Sequence, residues 1–264
     1  MPGQPIANNP FLLLAAALAI SALVVGGPYA SRAPGIDGSQ PRQAYEAELT
    51  SKRTGSATGL RQSIDYLASE EDGKPYAVEQ VIFKLPRGAR IDTTVAPFCP
   101  ANEVQFQLQG ASACPSGSRV GDGFLSADTG VDLALAPRVI ETEVTFFNND
   151  HELILFAEST NTLGLPIRVA SRIEVRRRKF ISTVPPLPGL PPPDPFLALD
   201  MVYNDLIRLK TGAGAYIRTP RRCRQGRWFL RAKFTYRDGI VETAKSATPC
   251  RVRGASGSSR QALD

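Results

Sequence analysis

Histidine is almost missing from this 264-residue chain: His151 is the only one. Any Ser-His-Asp or Cys-His site would have to use that single imidazole. It lies in "NNDHELILF", between turn residues and a strand-like run, where an exposed turn histidine is the plain expectation. Cysteine is scarce as well, with four residues, Cys99, Cys114, Cys223 and Cys250. None stands in a CxxC or CxxH spacing, so neither a zinc site nor a redox dithiol is expected. There is no GxSxG elbow, because "GSATG" at 55–59 puts its serine one step out of place. "GLRQS" and "SRVGDG" lack the glycine-lysine-hydroxyl order of a phosphate loop. "DTGVD" at 128–132 is too short a constellation for calcium. No cofactor and no metal are therefore expected. A convincing helical period is also lacking throughout, which argues against long amphipathic helices.

The chain does have one long apolar run, "FLLLAAALAISALVVGG", residues 11–27. Its length suits the core of a signal peptide better than a membrane span, which needs roughly 20 apolar residues. The segment 1–30 is read as a signal peptide, although its leading part carries no Lys or Arg. An uncleaved anchor is the alternative. No cysteine follows the run, so a lipoprotein is excluded. The expected location is secreted or cell-surface, where thiols pair. Four cysteines allow three pairings. The nearest-neighbour pairing, Cys99–Cys114 and Cys223–Cys250, closes each loop around a strand-like excursion. A bridge of this kind contributes about 3 kcal/mol on the chain-entropy model.

The remainder reads as strands. Gly and Pro number 22 each, which favours turns. "RVIETEVTFF" aligns Ile140, Thr142, Val144 and Phe146, and "IRVASRIEVRR" aligns Val169, Ser171, Ile173 and Val175. "HELILFAES" is apolar enough for the centre of a sheet. In "CPANEVQFQLQGASACP", Val104, Phe106 and Leu108 alternate with Gln105 and Gln107, predicting a half-buried strand. The expected fold is all-β, an antiparallel β-sandwich of jelly-roll type behind an N-terminal apolar export helix. Residues 31–43 read as a flexible lead-in and 254–264 as a disordered tail. One domain spans 44–253, with the proline-rich 184–195 as a rigid surface loop. Two domains split at that stretch is the alternative, but the second piece would be marginal for a lone core.

Charge is uneven. Net charge is +6, yet residues 208–253 hold 13 Lys and Arg against Asp238 and Glu242, giving +11, and the rest sums to −5. In "RWFLRAKFTYR", Trp228, Leu230, Ala232, Phe234 and Tyr236 share one face of a strand. Arg227, Arg231, Lys233 and Arg237 share the other. "RDG" then turns the chain back as a hairpin. Such a comb reads either as a solvated edge that discourages pairing or as an anion-binding face. For an exported chain the fitting partners are anionic wall polymers or lipid head groups, not nucleic acid. The leading expectation is a non-catalytic binding or structural domain. The alternative is a hydrolase of envelope carbohydrate working through Glu141 and Glu143, about 6–7 Å apart on one strand face.

"FKLPRGARID", "FCPANEVQ" and "ACPSGSRVGDG", taken with "CRQGRWFLRAKFTYRDG" and "TPC", resemble a group of exported β-rich proteins of high-GC actinobacteria. The resemblance covers about residues 78–125 and 216–250 and consists of turns, cysteines and core aromatics. It implies export and the nearest-neighbour cysteine pairing, and it implies no reaction.

Overall fold

The computed structural model describes residues 40–69, 73–128, 137–161, 163–184 and 198–252. The apolar run, most of the lead-in, the proline-rich stretch and the tail lie outside them. In chain order the strands are β1 (Gln43–Leu49), β2 (Ala57–Thr58), β3 (Leu60–Tyr66), β4 (Val78–Lys84) and β5 (Arg90–Ile91). A short helix α1 (Glu103–Gln109) precedes β6 (Arg119–Asp128), β7 (Val139–Asn149), β8 (Glu152–Thr160), β9 (Pro166–Arg176) and β10 (Lys179–Thr183). Then come β11 (Ala198–Leu206), β12 (Lys210–Thr211), β13 (Gly214–Ala215), β14 (Ile217–Arg218), β15 (Arg227–Tyr236) and β16 (Val241–Pro249).

All-β is right, but the two-layer sandwich is not. Eleven strands form one antiparallel sheet in the order β1-β3-β11-β6-β7-β8-β9-β10-β4-β15-β16. Strands on both sides of the proline-rich stretch share it: β11 lies between β3 and β6, and β15 between β4 and β16. The two edge strands then meet through side chains. The Ala47 and Leu49 amides donate to the Ser246 and Thr248 hydroxyls at 3.0 Å each. Ser246 returns a bond to the Ala47 carbonyl at 2.8 Å, and the Arg42 amide donates to Glu242 Oε2 at 3.2 Å. The hydroxyls of Ser246 and Thr248, two positions apart on β16, thus stand in for a backbone ladder and bring the sheet round to a nearly closed barrel. Closure removes the exposed edges a sandwich would keep.

The period-2 alternation survives as inside versus outside. Trp228, Leu230, Ala232, Phe234 and Tyr236 are buried, while Phe229 is 49% exposed on the outer face. β4 breaks the simple count. Its pairing with β15 shifts between Thr235 and Tyr236, so Val78, Val81 and Phe83 are all buried, although sequence parity puts Val78 on the opposite face. Next to the seam, Tyr45, Tyr66, Phe83 and Phe234 fill the lumen, with ring centroids 6.2–6.3 Å apart.

The stretch between Cys99 and Cys114 is a helix, not a strand. Asn102 caps it: Asn102 Oδ1 accepts from the Gln105 amide at 3.0 Å, and Gln105 Oε1 accepts from the Asn102 amide at 2.9 Å. This is a reciprocal capping box. Gly110 ends the helix at φ +63°, where a Cβ would stand 3.0 Å from Glu158 Oε2. The alternation misleads because Val104 and Leu108 are 65% and 75% exposed; only Phe106 is buried. Phe106 packs on outward-facing Phe147 and Phe156, at 5.1 Å between centroids for the latter. The helix therefore patches an apolar strip on the outside of β7 and β8, and the Cys99–Cys114 bridge ties down both ends of the patch.

Candidate functional site: the cationic end of the barrel

One end of the barrel is capped. β1 leaves the sheet at Leu49 and returns through residues 50–59. There β2, β14 and β5 make a second small sheet, with Ile217 opposite both Thr58 and Ile91. Ile217, in the middle strand of this sheet, and the adjoining Tyr216 are fully buried. Burial raises the pKa of the Tyr216 phenol far above its ordinary value, so it stays neutral.

The cap is tied by short polar links. The Thr219 hydroxyl donates to the Arg53 carbonyl at 2.7 Å and accepts from the Ser56 amide at 2.9 Å. The Arg251 amide donates to the Lys52 carbonyl at 2.8 Å, and the Thr54 amide to the Arg251 carbonyl at 3.2 Å. The second disulfide, Cys223–Cys250, fastens the segment before β15 to the end of β16. Trp228 Nε1 donates to the Arg222 carbonyl at 2.8 Å. These links fix backbone positions without engaging the side chains of Lys52, Arg53, Arg222 or Arg251.

The result is concentrated positive charge. Residues 50–59, 85–98, 207–227 and 250–252 build the cap and carry twelve Lys and Arg against Asp92 alone. Asp92 is occupied, capping a short turn by accepting from the Thr94 amide and hydroxyl. In the cap, a polar pocket of about 470 Å³ is walled by Lys52, Arg53, Arg208, Lys210, Arg218 and Arg251, together with Thr50, Ser51 and Ser56. Among the described residues, no carboxylate lines it. Among the described residues, none of these six cations has a carboxylate within 4.0 Å. Six cations converging on one concavity repel each other unless an anion joins them.

The comb expected on β15 faces outward: Arg227, Arg231, Lys233 and Arg237 are all exposed. Strand pairing adds what the sequence conceals. Arg231 is opposite Lys245 on one side and Lys84 on the other; Lys84 is opposite Lys179, and Lys179 opposite Arg176. Five cations therefore stand on one rung across five strands, with neighbouring strands about 4.8 Å apart. Among the described residues, Arg176 alone of the five forms an ion pair, with Glu174. This rung runs along the outer wall beside the cap, at the ends of β4, β9 and β10.

The carboxylates of the hydrolase reading are elsewhere. Glu141 and Glu143 are exposed on the outer face of β7, and Glu143 is opposite Glu158 on β8. His151 is an exposed residue of the β7–β8 turn, in the left-handed region at φ 53°. Among the described residues, no group of three or more His, Cys, Asp or Glu could hold a metal ion. No helix among them is long and apolar enough to cross a membrane.

Both disulfides follow the nearest-neighbour pairing, with Cα atoms 5.0 Å and 5.7 Å apart, and suit an oxidising surrounding. The pocket cations Lys52, Arg53, Arg208, Lys210, Arg218 and Arg251 were invisible as a group in the sequence, because three separate segments deliver them. The only signal was the positive excess after residue 208.

No family model and no curated protein matches the chain. Among solved structures, a cohesin module from a Clostridium perfringens family 33 glycoside hydrolase aligns with 79% of this chain and 98% of its own. Identity is 9% and the TM-score 0.21, too low to inform fold or function.

Proposed function

We propose that the protein is an exported, non-catalytic β-barrel domain that binds phosphate-bearing polymers or head groups of the cell envelope at its cationic end. The observation that carries this reading is the pocket walled by six Lys and Arg, with no carboxylate in its wall among the described residues. Guanidinium groups match phosphate oxygens in a bidentate way, and hydroxyls such as Thr50, Ser51 and Ser56 supply further donors. Export rests on the apolar run at 11–27 and fits two disulfides. The rung from Lys245 to Arg176, exposed except for half-buried Lys84, extends the same field over the adjoining wall. Each cation near an anionic surface contributes about 1 kcal/mol, and salt screens this within about 10 Å at 0.1 M.

The test uses tripolyphosphate, vesicles with and without anionic phospholipid, and isolated envelopes, at low and high salt. The wild type is expected to bind tripolyphosphate and envelopes at low salt and to release them at high salt. Binding to anionic vesicles alone would assign the site to lipid head groups; binding to tripolyphosphate and envelopes without vesicle binding would assign it to a polymer. An Arg53→Gln, Arg218→Gln, Arg251→Gln variant should lose most binding. Changing Arg227, Arg231, Lys233 and Arg237 to Gln should weaken adhesion to envelopes but leave tripolyphosphate binding. The reading is wrong if the wild type binds no polyanion at low salt or the pocket variant binds as well as wild type.

A further inference from the structure

The barrel contains a second, chemically opposite site. Beyond the aromatic cluster at the seam, the lumen holds a cavity of about 180 Å³. β3, β4 and β6 to β11 line it; β1, β15 and β16 do not. Eight strands make a barrel just wide enough for side chains to fill, and eleven make it wider. The inward residues on the side away from the seam are also small, including Ala127, Ala157, Ser159, Ser171 and Ser182. Inward-facing Leu125, Leu155, Val169, Leu199 and Val202 consequently keep partial exposure inside the barrel. For comparison, a cavity of about 150 Å³ lined by Leu, Ile and Phe in another protein stays dry and takes up benzene.

Two polar side chains interrupt this lining. Gln62 on β3 and Asn204 on β11 are cross-strand partners, only 7% and 8% exposed. Gln62 Oε1 and Asn204 Oδ1 have no hydrogen-bond partner. A buried acceptor without a donor is costly, and native interiors seldom leave two side by side. The residue opposite Asn204 on β6 is Gly123. A Cβ there would stand 3.0 Å from Asn204 Oδ1 and 2.4 Å from the Tyr203 carbonyl. Glycine keeps the approach to the amide clear. Among the described residues, no charged side chain lines the cavity.

We infer that the barrel binds a neutral lipophilic molecule whose hydroxyl group donates a hydrogen bond to the Gln62–Asn204 pair, its hydrocarbon portion filling the space beside it. The chemistry follows from the lining. Apolar walls take a hydrocarbon body, two unmatched acceptors ask for a donor, and the described lining residues offer no cation to a carboxylate or phosphate inside. At the end away from the cap, Val139, Leu163 and Leu165 are 46%, 65% and 58% exposed, an apolar rim beside the inward-facing Ile140 and Ile167. The site uses none of the six pocket cations and stands independently of the anion-binding reading.

The probes are 1-octanol, octyl methyl ether and octanoate, titrated calorimetrically into the full chain. The ether keeps the hydrocarbon and loses the donor; octanoate adds charge. 1-Octanol should bind, with the ether about tenfold weaker, the worth of one matched hydrogen bond. Octanoate should be weaker than 1-octanol by at least as much. Gln62→Leu with Asn204→Leu should bring alcohol and ether to equal affinity. Leu155→Trp, which fills the space and leaves the amides intact, should abolish uptake of both. Amide side-chain NMR signals of Gln62 and Asn204 should shift with 1-octanol in the wild type even if the double variant does not fold. The inference is overturned if 1-octanol fails to bind, if alcohol and ether bind equally to the wild type, or if the two amide signals stay unmoved. Arg53→Gln, Arg218→Gln, Arg251→Gln should leave 1-octanol affinity unchanged, which separates failure of one site from failure of the other.

Discussion

Removing the hydroxyls of Ser246 and Thr248 should open the barrel along a single line. No backbone ladder joins β16 to β1; along Gln43–Leu49 the seam is held by these side chains and Glu242, with the Arg42–Asp238 ion pair and the Tyr236–Gln43 hydrogen bond at one end and the backbone bonds of Arg251 to Lys52 and Thr54 beyond the other. Thr248→Val keeps the branched shape at a fully buried position and deletes the acceptor for the Leu49 amide. Ser246→Ala deletes both the acceptor for the Ala47 amide and the donor to its carbonyl. A buried backbone group left without a partner costs about 1–3 kcal/mol. Three such groups lose their partners, the pair at Ala47 only partly buried, so the double variant should lose about 4 kcal/mol. That is a large share of the ordinary stability of about 5–15 kcal/mol. The effect should be local as well as global. Amides of β7 and β8 that exchange through global unfolding should speed up by about a thousandfold, and those of Gln43–Leu49 facing the seam by more, because local opening of the seam adds to the global change. Urea unfolding and hydrogen exchange with mass spectrometry read the two quantities. Thr243→Ala, on the exposed side of the same strand, is the control and should change stability by less than about 0.5 kcal/mol. If the double variant unfolds at the wild-type urea concentration with unchanged exchange in β1, the hydroxyls do not close the barrel and the seam argument is wrong.

Peptide mapping without reduction should yield fragments joining Cys99 to Cys114 and Cys223 to Cys250; any fragment crossing the two pairs would overturn the pairing. Replacing Cys99 and Cys114 by alanine should cost about 3 kcal/mol on the loop-entropy model, and adding Phe106→Ala should release the helix from β7 and β8, read by loss of protection in Glu103–Gln109. Alkaline pH should weaken the fold. Burial raises the phenol pKa of Tyr45, Tyr66, Tyr216 and Tyr236 above the unfolded value of about 10. The folded chain then holds protons that the unfolded chain releases, so the contribution is complete below about pH 10 and falls as pH rises beyond it, by about 1.4 kcal/mol per tyrosine per pH unit. A urea midpoint that stays flat between pH 9 and 11 would contradict this.

Local chemistry decided a good part of this protein. The alternation in 227–236, 139–146 and 166–175 specified strands and which face is buried, because side chains on an extended chain alternate whatever the strand pairs with. The cysteine pairing follows from short loops closed at favourable distance. The structure caps a helix with Asn102 and Gln105 and stops it at Gly110, whereas the alternation of Val104, Phe106 and Leu108 pointed to a strand. Phe106 alone had a surface to cover, and both edges of the sheet were already engaged, so no ladder was left for another strand.

Tertiary structure decided the rest. Whether a set of strands becomes two layers or one closed sheet depends on which edges meet, and here that turns on hydroxyls at Ser246 and Thr248 reaching a strand some 200 residues away. The rung Lys245–Arg231–Lys84–Lys179–Arg176 exists only in the register of five strands. The cationic pocket needs residues 50–57, 208–218 and 251 to meet at one end. The two unmatched amides become neighbours only because β11 inserts beside β3. Each of these features pairs residues far apart in the chain, and local sequence pattern carries no information on the partner, because an alternating strand fits equally well beside many others.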